Sequence, residues 1–317
     1  MIFRKLLVSF WITALALVLT VGMVYAGNTA DIEQDGRNNL AEIDQEGSEN
    51  VGVIYQGGNN DRAYIDQIGD RNDAWINQVG GNISSEGRVI QEGNDNIGHI
   101  ENQTSWSSPG SEAWIEQYGN ENLAEIGQYD HAHDASIYQD GDENKATIEQ
   151  RNSGHFAMIN QFGDFNEAYV TQRGKNHSSN IYQDGNSNLA DVAQTGDDSL
   201  AVINQLGDNN IIAGVENNDG LTFDPSKEAE SISSEFNGRQ IGNNNDIGLY
   251  QLSSVGTITQ EGDSNEALLY QGGTGGHTST ILQTGNNNTG HVKQTVVGHV
   301  GDITQTGNMN TALINQF

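Results

Sequence analysis

An eleven-residue phrase, Asn-x-Ala-x-Ile-x-Gln-x-Gly-x-x, recurs from Asn28 to the last residue of this 317-residue chain. Asn28, Ala30, Ile32, Gln34 and Gly36 spell it once; Asn39, Ala41, Ile43, Gln45 and Gly47 spell it again; Asn310, Ala312, Ile314 and Gln316 close the array. A period this short excludes an ordinary globular core and requires a stacked architecture. The marked residues fall at positions 1, 3, 5 and 7, the period of two that a strand with one buried face requires. Position 5 is almost always aliphatic, position 3 is small, and positions 2, 4, 6 and 8 vary and carry most of the acids.

Position 9 is the turn position. Gly36, Gly47, Gly69, Gly141, Gly163, Gly207 and Gly307 occupy it, with Asn, Asp or Ser beside them. Glycine reaches positive φ without steric cost, so each unit reads as one strand and one reversal. Two units make a coil of 22 residues. The fold class is therefore all-β: a flattened two-sheet parallel β-solenoid of about twelve coils, built from 25 units and ~60 Å long at the strand spacing of ~4.8 Å. Equivalent side chains then lie above one another. Gln34, Gln56 and Gln78 stack on one sheet, and Gln45 and Gln67 on the other. Gln128, Gln139, Gln150, Gln161, Gln205, Gln294, Gln305 and Gln316 continue the columns, while Asn102 and Glu216 replace glutamine in two units. Such amide ladders are cross-β chemistry, and the stack reads as amyloid-like when assembled.

The period breaks near Gly80–Ser84, at Gln103–Gly110 and, at greatest length, near Asn217–Ser233. Both prolines, Pro109 and Pro225, fall in these breaks, as expected for residues that cannot donate to a ladder. Gly214 and Gly238 take the aliphatic position around the longest one. The expected organisation is a signal peptide over 1–26, a repeat solenoid over 27–216, a protruding loop over 217–233 that is a weak point or a divide between two blocks, and solenoid again over 234–317. The signal peptide is read from Arg4 and Lys5, the apolar run from Leu6, and the small-residue cleavage site Val24-Tyr25-Ala26.

Beyond residue 26 there are 43 acidic residues against 11 basic ones. That balance excludes the basic footprint of a nucleic-acid binder, and the absence of cysteine excludes disulfide staples. No catalytic constellation, cofactor motif or calcium-binding nonapeptide emerges, so no enzyme activity, cofactor or metal is expected. One constellation stands out. His133, His155 and His177 all occupy position 1 at intervals of 22 residues, and His277 and His299 repeat the arrangement. Stacked imidazoles suggest a metal or pH-sensitive ladder, or simply another hydrogen-bonding rung in place of asparagine. Outward aromatics such as Tyr64, Trp75, Trp114, Tyr138, Tyr169, Tyr182, Tyr250 and Tyr270 suit lateral packing or sugar binding.

A single unit orders eleven backbones at ~1–2 kcal/mol each and buries one isoleucine worth ~1.5–3 kcal/mol, so stability has to come from stacking many coils. Unpaired end strands template further strands, and no polar capping repeat is seen at either end of the array. The expectation is a subunit that joins head to tail into an open filament.

These residues resemble the curlin repeat of bacterial curli, whose pattern is Ser-x5-Gln-x-Gly-x-x-Asn-x-Ala-x3-Gln. Ser199, Gln205, Gly207 and Asn210 match its first half; Asn39, Ala41 and Gln45 match its second. The terminal Asn315-Gln316-Phe317 looks like the ending of the major subunit rather than that of the nucleator. The resemblance implies a secreted, self-assembling amyloid subunit of a cell-surface, pilus-like fibre that serves biofilm matrix, adhesion and colonisation. Its implied partners are itself, a nucleator curlin, and an outer-membrane secretion channel with accessory chaperones. The alternatives are the nucleating subunit itself or a monomeric β-solenoid adhesin.

Overall fold

The computed structural model describes residues 17–19, 27–80, 84–104, 110–215, 223–224, 229–232, 234–273 and 275–317. The rest of the 1–26 leader, both prolines, Glu216 and most of the 217–233 insert lie outside the described residues. Every element among the described residues is a strand or a turn.

Successive units alternate between two parallel sheets, as the 22-residue coil requires. Sheet A contains 13 strands and sheet B contains 15. Along sheet A the strands run from Leu40–Ser48, Arg62–Asp70 and Glu86–Asn94 through to Val300–Thr306; along sheet B from Thr29–Gln34, Val51–Gln56 and Asp73–Gly80 through to Thr311–Gln316. A short strand at Leu17–Leu19 pairs with Glu42–Asp44 at the edge of sheet A. Register follows the repeat, so like stacks on like. Ile126 pairs with Ile148 and Gln128 with Gln150; on the other sheet Ile137 pairs with Ile159 and Gln139 with Gln161.

The core is one continuous seam between the sheets. Ala and Ile from positions 3 and 5 are buried in nearly every rung, and the position 7 glutamines are buried beside them. Small Ala next to large Ile lets the sheets close, and each Ile removed from water contributes ~1.5–3 kcal/mol. The terminal rungs of sheet B bury less: Thr29–Gln34 and Thr311–Gln316 alternate exposed and half-buried residues, and Ile32 and Ile314 pack only partly against the core, whereas Val300–Thr306 at the end of sheet A keeps Ile303 buried.

The turns need two unusual backbone positions. Gly141 has φ 138°, and a Cβ there would lie 2.1 Å from the carbonyl oxygen of Gly163 on the next coil. The glycine is fixed by conformation and by the close approach of stacked turns. Two residues later Glu143 adopts φ 56°, as do Asn38, Asp95, Phe165 and others at that place. Left-handed geometry at position 11, mostly without glycine, was not foreseen from the sequence.

The 217–233 insert is more than a protrusion. Its residues Ala229–Ile232 return to sheet B and complete the rung that Ile211–Val215 begins. Ala229 pairs with Val192, so it takes the aliphatic place that the sequence assigned to Gly214. Ser231 pairs with Gln194 and Gln251, so it stands in the glutamine column in place of Glu216. On sheet A, Gly238 is compensated by fully buried Phe236, whose ring a Cβ at 238 would strike. Both sheets continue in hydrogen-bonded order past the insert.

Candidate assembly ladders

The columns inside the solenoid are hydrogen-bonded chains that run from coil to coil. In sheet A each glutamine Nε2 donates to the Oε1 of the next: Gln45 to Gln67 at 2.7 Å, Gln139 to Gln161 at 2.8 Å, Gln161 to Gln183 at 2.9 Å. The chain continues through Gln205, Gln240, Gln260 and Gln283 to Gln305. The same Nε2 also donates to a backbone carbonyl of the facing sheet, as Gln139 does to Leu123 at 3.1 Å. Every link points the same way along the axis.

Sheet B carries the same ladder in three lengths. Gln34, Gln56 and Gln78 form the first; Gln128, Gln150, Gln172 and Gln194 the second; Gln251, Gln271, Gln294 and Gln316 the third. The gaps fall at Asn102 and Ser231. Asn102 is one methylene too short to reach its neighbours, and both of its amide atoms are buried without a partner. Gln128 Oε1 and Gln251 Oε1, the atoms just past each gap, are orphaned as well. A buried polar atom without a partner costs ~1–3 kcal/mol, so the gaps are local weak points.

Position 1 differs between the two corners of the coil. Ahead of sheet B it is asparagine throughout, including Asn28, Asn50, Asn144, Asn288 and Asn310. Each Oδ1 accepts the backbone N–H of the next asparagine, as Asn28 does from Asn50 at 3.0 Å and Asn288 from Asn310 at 3.1 Å. The amide nitrogen donates to the turn glycine one coil on: Asn50 to Gly69 at 2.8 Å, Asn144 to Gly163 at 2.7 Å. Ahead of sheet A the same corner holds Asn39, Asp61, serines and all five histidines of the sequence constellation.

The histidines are stacked, and all but half-buried His299 are buried. His133 and His155 lie 5.1 Å apart between ring centroids, His155 and His177 4.9 Å, and His277 and His299 5.5 Å. Nε2 of His133, His155 and His177 faces the carbonyl of Tyr129, Arg151 and Arg173 at 2.9, 2.7 and 3.0 Å. Nδ1 of each accepts the backbone N–H of the next rung, from His155, His177 and Ser199. A carbonyl can only accept, so Nε2 carries the proton and the ring is neutral. Each of these three rings thus imitates asparagine, and neither of its nitrogens has a lone pair left for a metal; His299 Nε2, by contrast, is buried without a partner. The described residues hold no group of three or more metal-ligating side chains. Burial pushes the His155 pKa down to about 4, aided by its charged-form repulsion with His133 and His177; burial also lowers His133 and His177.

A third ladder escaped the sequence reading. At position 10, on the corner that follows sheet A, Asp142 Oδ1 accepts the backbone N–H of Asn120 at 2.8 Å, Asp164 that of Asp142, and Asn186 that of Asp164. The chain extends back to Ser48 and Asp70 and forward to Asn286 and Asn308. The signal was present as Gly-Asp and Gly-Asn pairs such as Gly141-Asp142 and Gly185-Asn186, but only in every second unit.

The family model of the curlin associated repeat matches residues 26–51, 52–80, 156–185 and 180–207. The chain is a curlin-repeat protein. The matched repeats fall on the paired rungs just described, and they support a curli-type structural subunit. No curated protein matches the chain. In curlin-repeat terms, the matched Gln, Asn and Gly are the ladder and turn residues, and Ser199 of the matched 180–207 repeat caps the histidine stack.

Proposed function

We propose that this curlin-repeat chain assembles head to tail into an amyloid fibre at the cell surface, as a major subunit serving matrix and attachment. The observation that carries the reading is the one-way glutamine ladder. Each coil presents Nε2 donors to one side and Oε1 acceptors to the other, so any two coil faces are complementary ends of the same bond set. The two terminal rungs of sheet B also leave their isoleucines half-buried, Ile32 and Ile314, and a further rung would complete them.

The residues that carry assembly are the ladder glutamines, the Asn and Ile of positions 1 and 5, and the turn glycines. Export begins with the 1–26 leader as a signal peptide. It continues through an outer-membrane curli channel with its chaperones, and a nucleator curlin starts the fibre.

The test is growth kinetics of the chain from residue 27, diluted from denaturant and followed by thioflavin T and electron microscopy. A lag, its shortening by preformed seeds, and unbranched fibres are expected. A folded monomer that neither seeds nor grows sinks the reading and favours a monomeric adhesin.

A further inference from the structure

The two outer faces of the solenoid are not alike. On sheet A each strand offers four outward side chains. In the five strands from Leu40–Ser48 to Asp134–Asp140, 12 of these 20 positions are charged, among them Glu42, Asp44, Glu46 and Asp66. In the next seven, from Phe156–Phe162 to Val300–Thr306, only 5 of 28 are charged: Asp184, Glu235, Arg239, Glu261 and Asp302. The others are apolar, amide or hydroxyl side chains. Phe156, Val255, Leu282 and Val300 are exposed there at 39%, 41%, 36% and 63%.

Sheet B offers no equivalent surface over these coils. Ala193, Ala213, Gly248 and Leu268 point outward and are nonetheless buried, at the place where the 217–233 insert leaves and rejoins the stack. The sheet A face beside them is uninterrupted strand from Phe156 to Thr306, seven rungs in hydrogen-bonded order.

We propose that this half of the sheet A face docks against the same face of a second copy of the chain. Three considerations select that occupant. The chain carries a net charge of −30, so two copies can approach closely only where carboxylates are sparse. Seven rungs at ~4.8 Å and about six residue steps at ~3.3 Å give roughly 650 Å² per copy. The total of ~1,300 Å² meets the ~1,200–2,000 Å² of a specific interface, whereas scattered surface leucines would not. A flat parallel face with hydroxyls and amides is also self-complementary, as a twofold contact demands.

This pairing is lateral and goes beyond axial growth, so the two stand or fall separately. It is measured as mass per length of fibres, or as a dimer by sedimentation if the chain remains soluble. The wild type is expected to be paired. The variant Val202→Glu/Thr257→Glu/Thr304→Glu, at positions where sheet A elsewhere bears acids, is expected to be single with its strand spectrum unchanged. The same charge placed on sheet B, Thr171→Glu/Thr195→Glu/Thr311→Glu, should leave pairing intact. Lysines at 202, 257 and 304 should restore pairing when mixed with the glutamate variant. A wild type that is single, or a glutamate variant that remains paired, overturns the proposal.

Discussion

At the scale of single residues, the inner corner ahead of sheet A holds titratable groups that the opposite corner avoids. Asp61 stands in the asparagine column, 3% exposed, and accepts the backbone N–H of Ser85 at 3.0 Å. Burial raises its pKa from 3.8 to about 6, against the lowering effect of bonds from Ser85 and Gly58. An acid whose folded pKa is raised favours the fold while protonated, so its contribution is lost as pH climbs from 3.8 through about 6. Asparagine restores the neutral pattern seen at Asn39, whose amide donates to Gly58. Asp61→Asn is therefore expected to raise stability by about 2–3 kcal/mol at pH 7 and by little at pH 4. Guanidinium midpoints at the two pH values check this; equal shifts would mean the carboxyl is not the cause.

The histidine stack has the opposite sign. His155 is held neutral, with its pKa lowered from 6.5 to about 4 by burial. Unfolded histidine protonates first, so stability is full above 6.5 and falls as pH drops towards about 4. Protonation would also remove the Nδ1 acceptor that each next rung uses. Asp130 beside His133, and Asp197 and Asp198 beside His177, favour the charged form, while His131 opposes it. None of them overcomes burial. Replacing His133, His155 and His177 with asparagine keeps both hydrogen bonds. The variant should hold its pH 7 stability while flattening the decline between pH 6.5 and 4, as read by denaturation midpoints. A variant that declines as steeply as the wild type removes the stack from the pH response.

At the scale of the strand and its rung, the ladder gap at Asn102 makes the sharpest prediction. Asn102→Gln gives Gln78 Nε2 an acceptor and Gln128 Oε1 a donor, and joins two ladders into one. Three orphaned amide atoms would be satisfied, Asn102's two and Gln128 Oε1. A gain of about 1–3 kcal/mol is expected, given the cost of a buried unsatisfied group. Hydrogen exchange across Ile97–Thr104 and Leu123–His131 should slow in step; unchanged exchange would mean that the orphans are not the weak point. This scale also shows what the sequence could and could not tell. The strands, their facing, the Ile and Gln columns and the turn glycines all followed from a period of eleven. The Asn120–Asp142–Asp164–Asn186 ladder did not, because it recurs every 22 residues and a period of eleven averages it with the unlike opposite corner. Left-handed Phe165 was invisible, since its side chain carries no turn signal. The rung completed by Ala229–Ile232 was missed because nothing local marks Ala229 as equivalent to Val192. Only the vacancy beyond Gly214 selects it.

At the scale of the whole molecule, charge decides how readily the stack grows. The outer faces hold carboxylates one rung apart, ~4.8 Å, well inside the Debye length of ~8–10 Å at ordinary salt. Their crowding is visible at Asp66, whose pKa is raised by burial and then by Asp44, Glu42 and Glu92. Adding a coil to a growing end brings its acids to the same spacing from those already there. The inner glutamine ladders oppose this repulsion, and they are neutral, buried and indifferent to salt. Growth is then a balance in which only one side is screened. Raising sodium chloride from ~0.02 M to ~0.5 M, which shortens the screening length from beyond 20 Å to below 5 Å, should shorten the lag several-fold while leaving fibre morphology unchanged along its axis. Light scattering and electron microscopy avoid the salt sensitivity of a cationic dye. A lag that stays flat across that range would show that surface charge does not control assembly, and would place the barrier in ordering the first coils, where one isoleucine per rung has to hold eleven backbones.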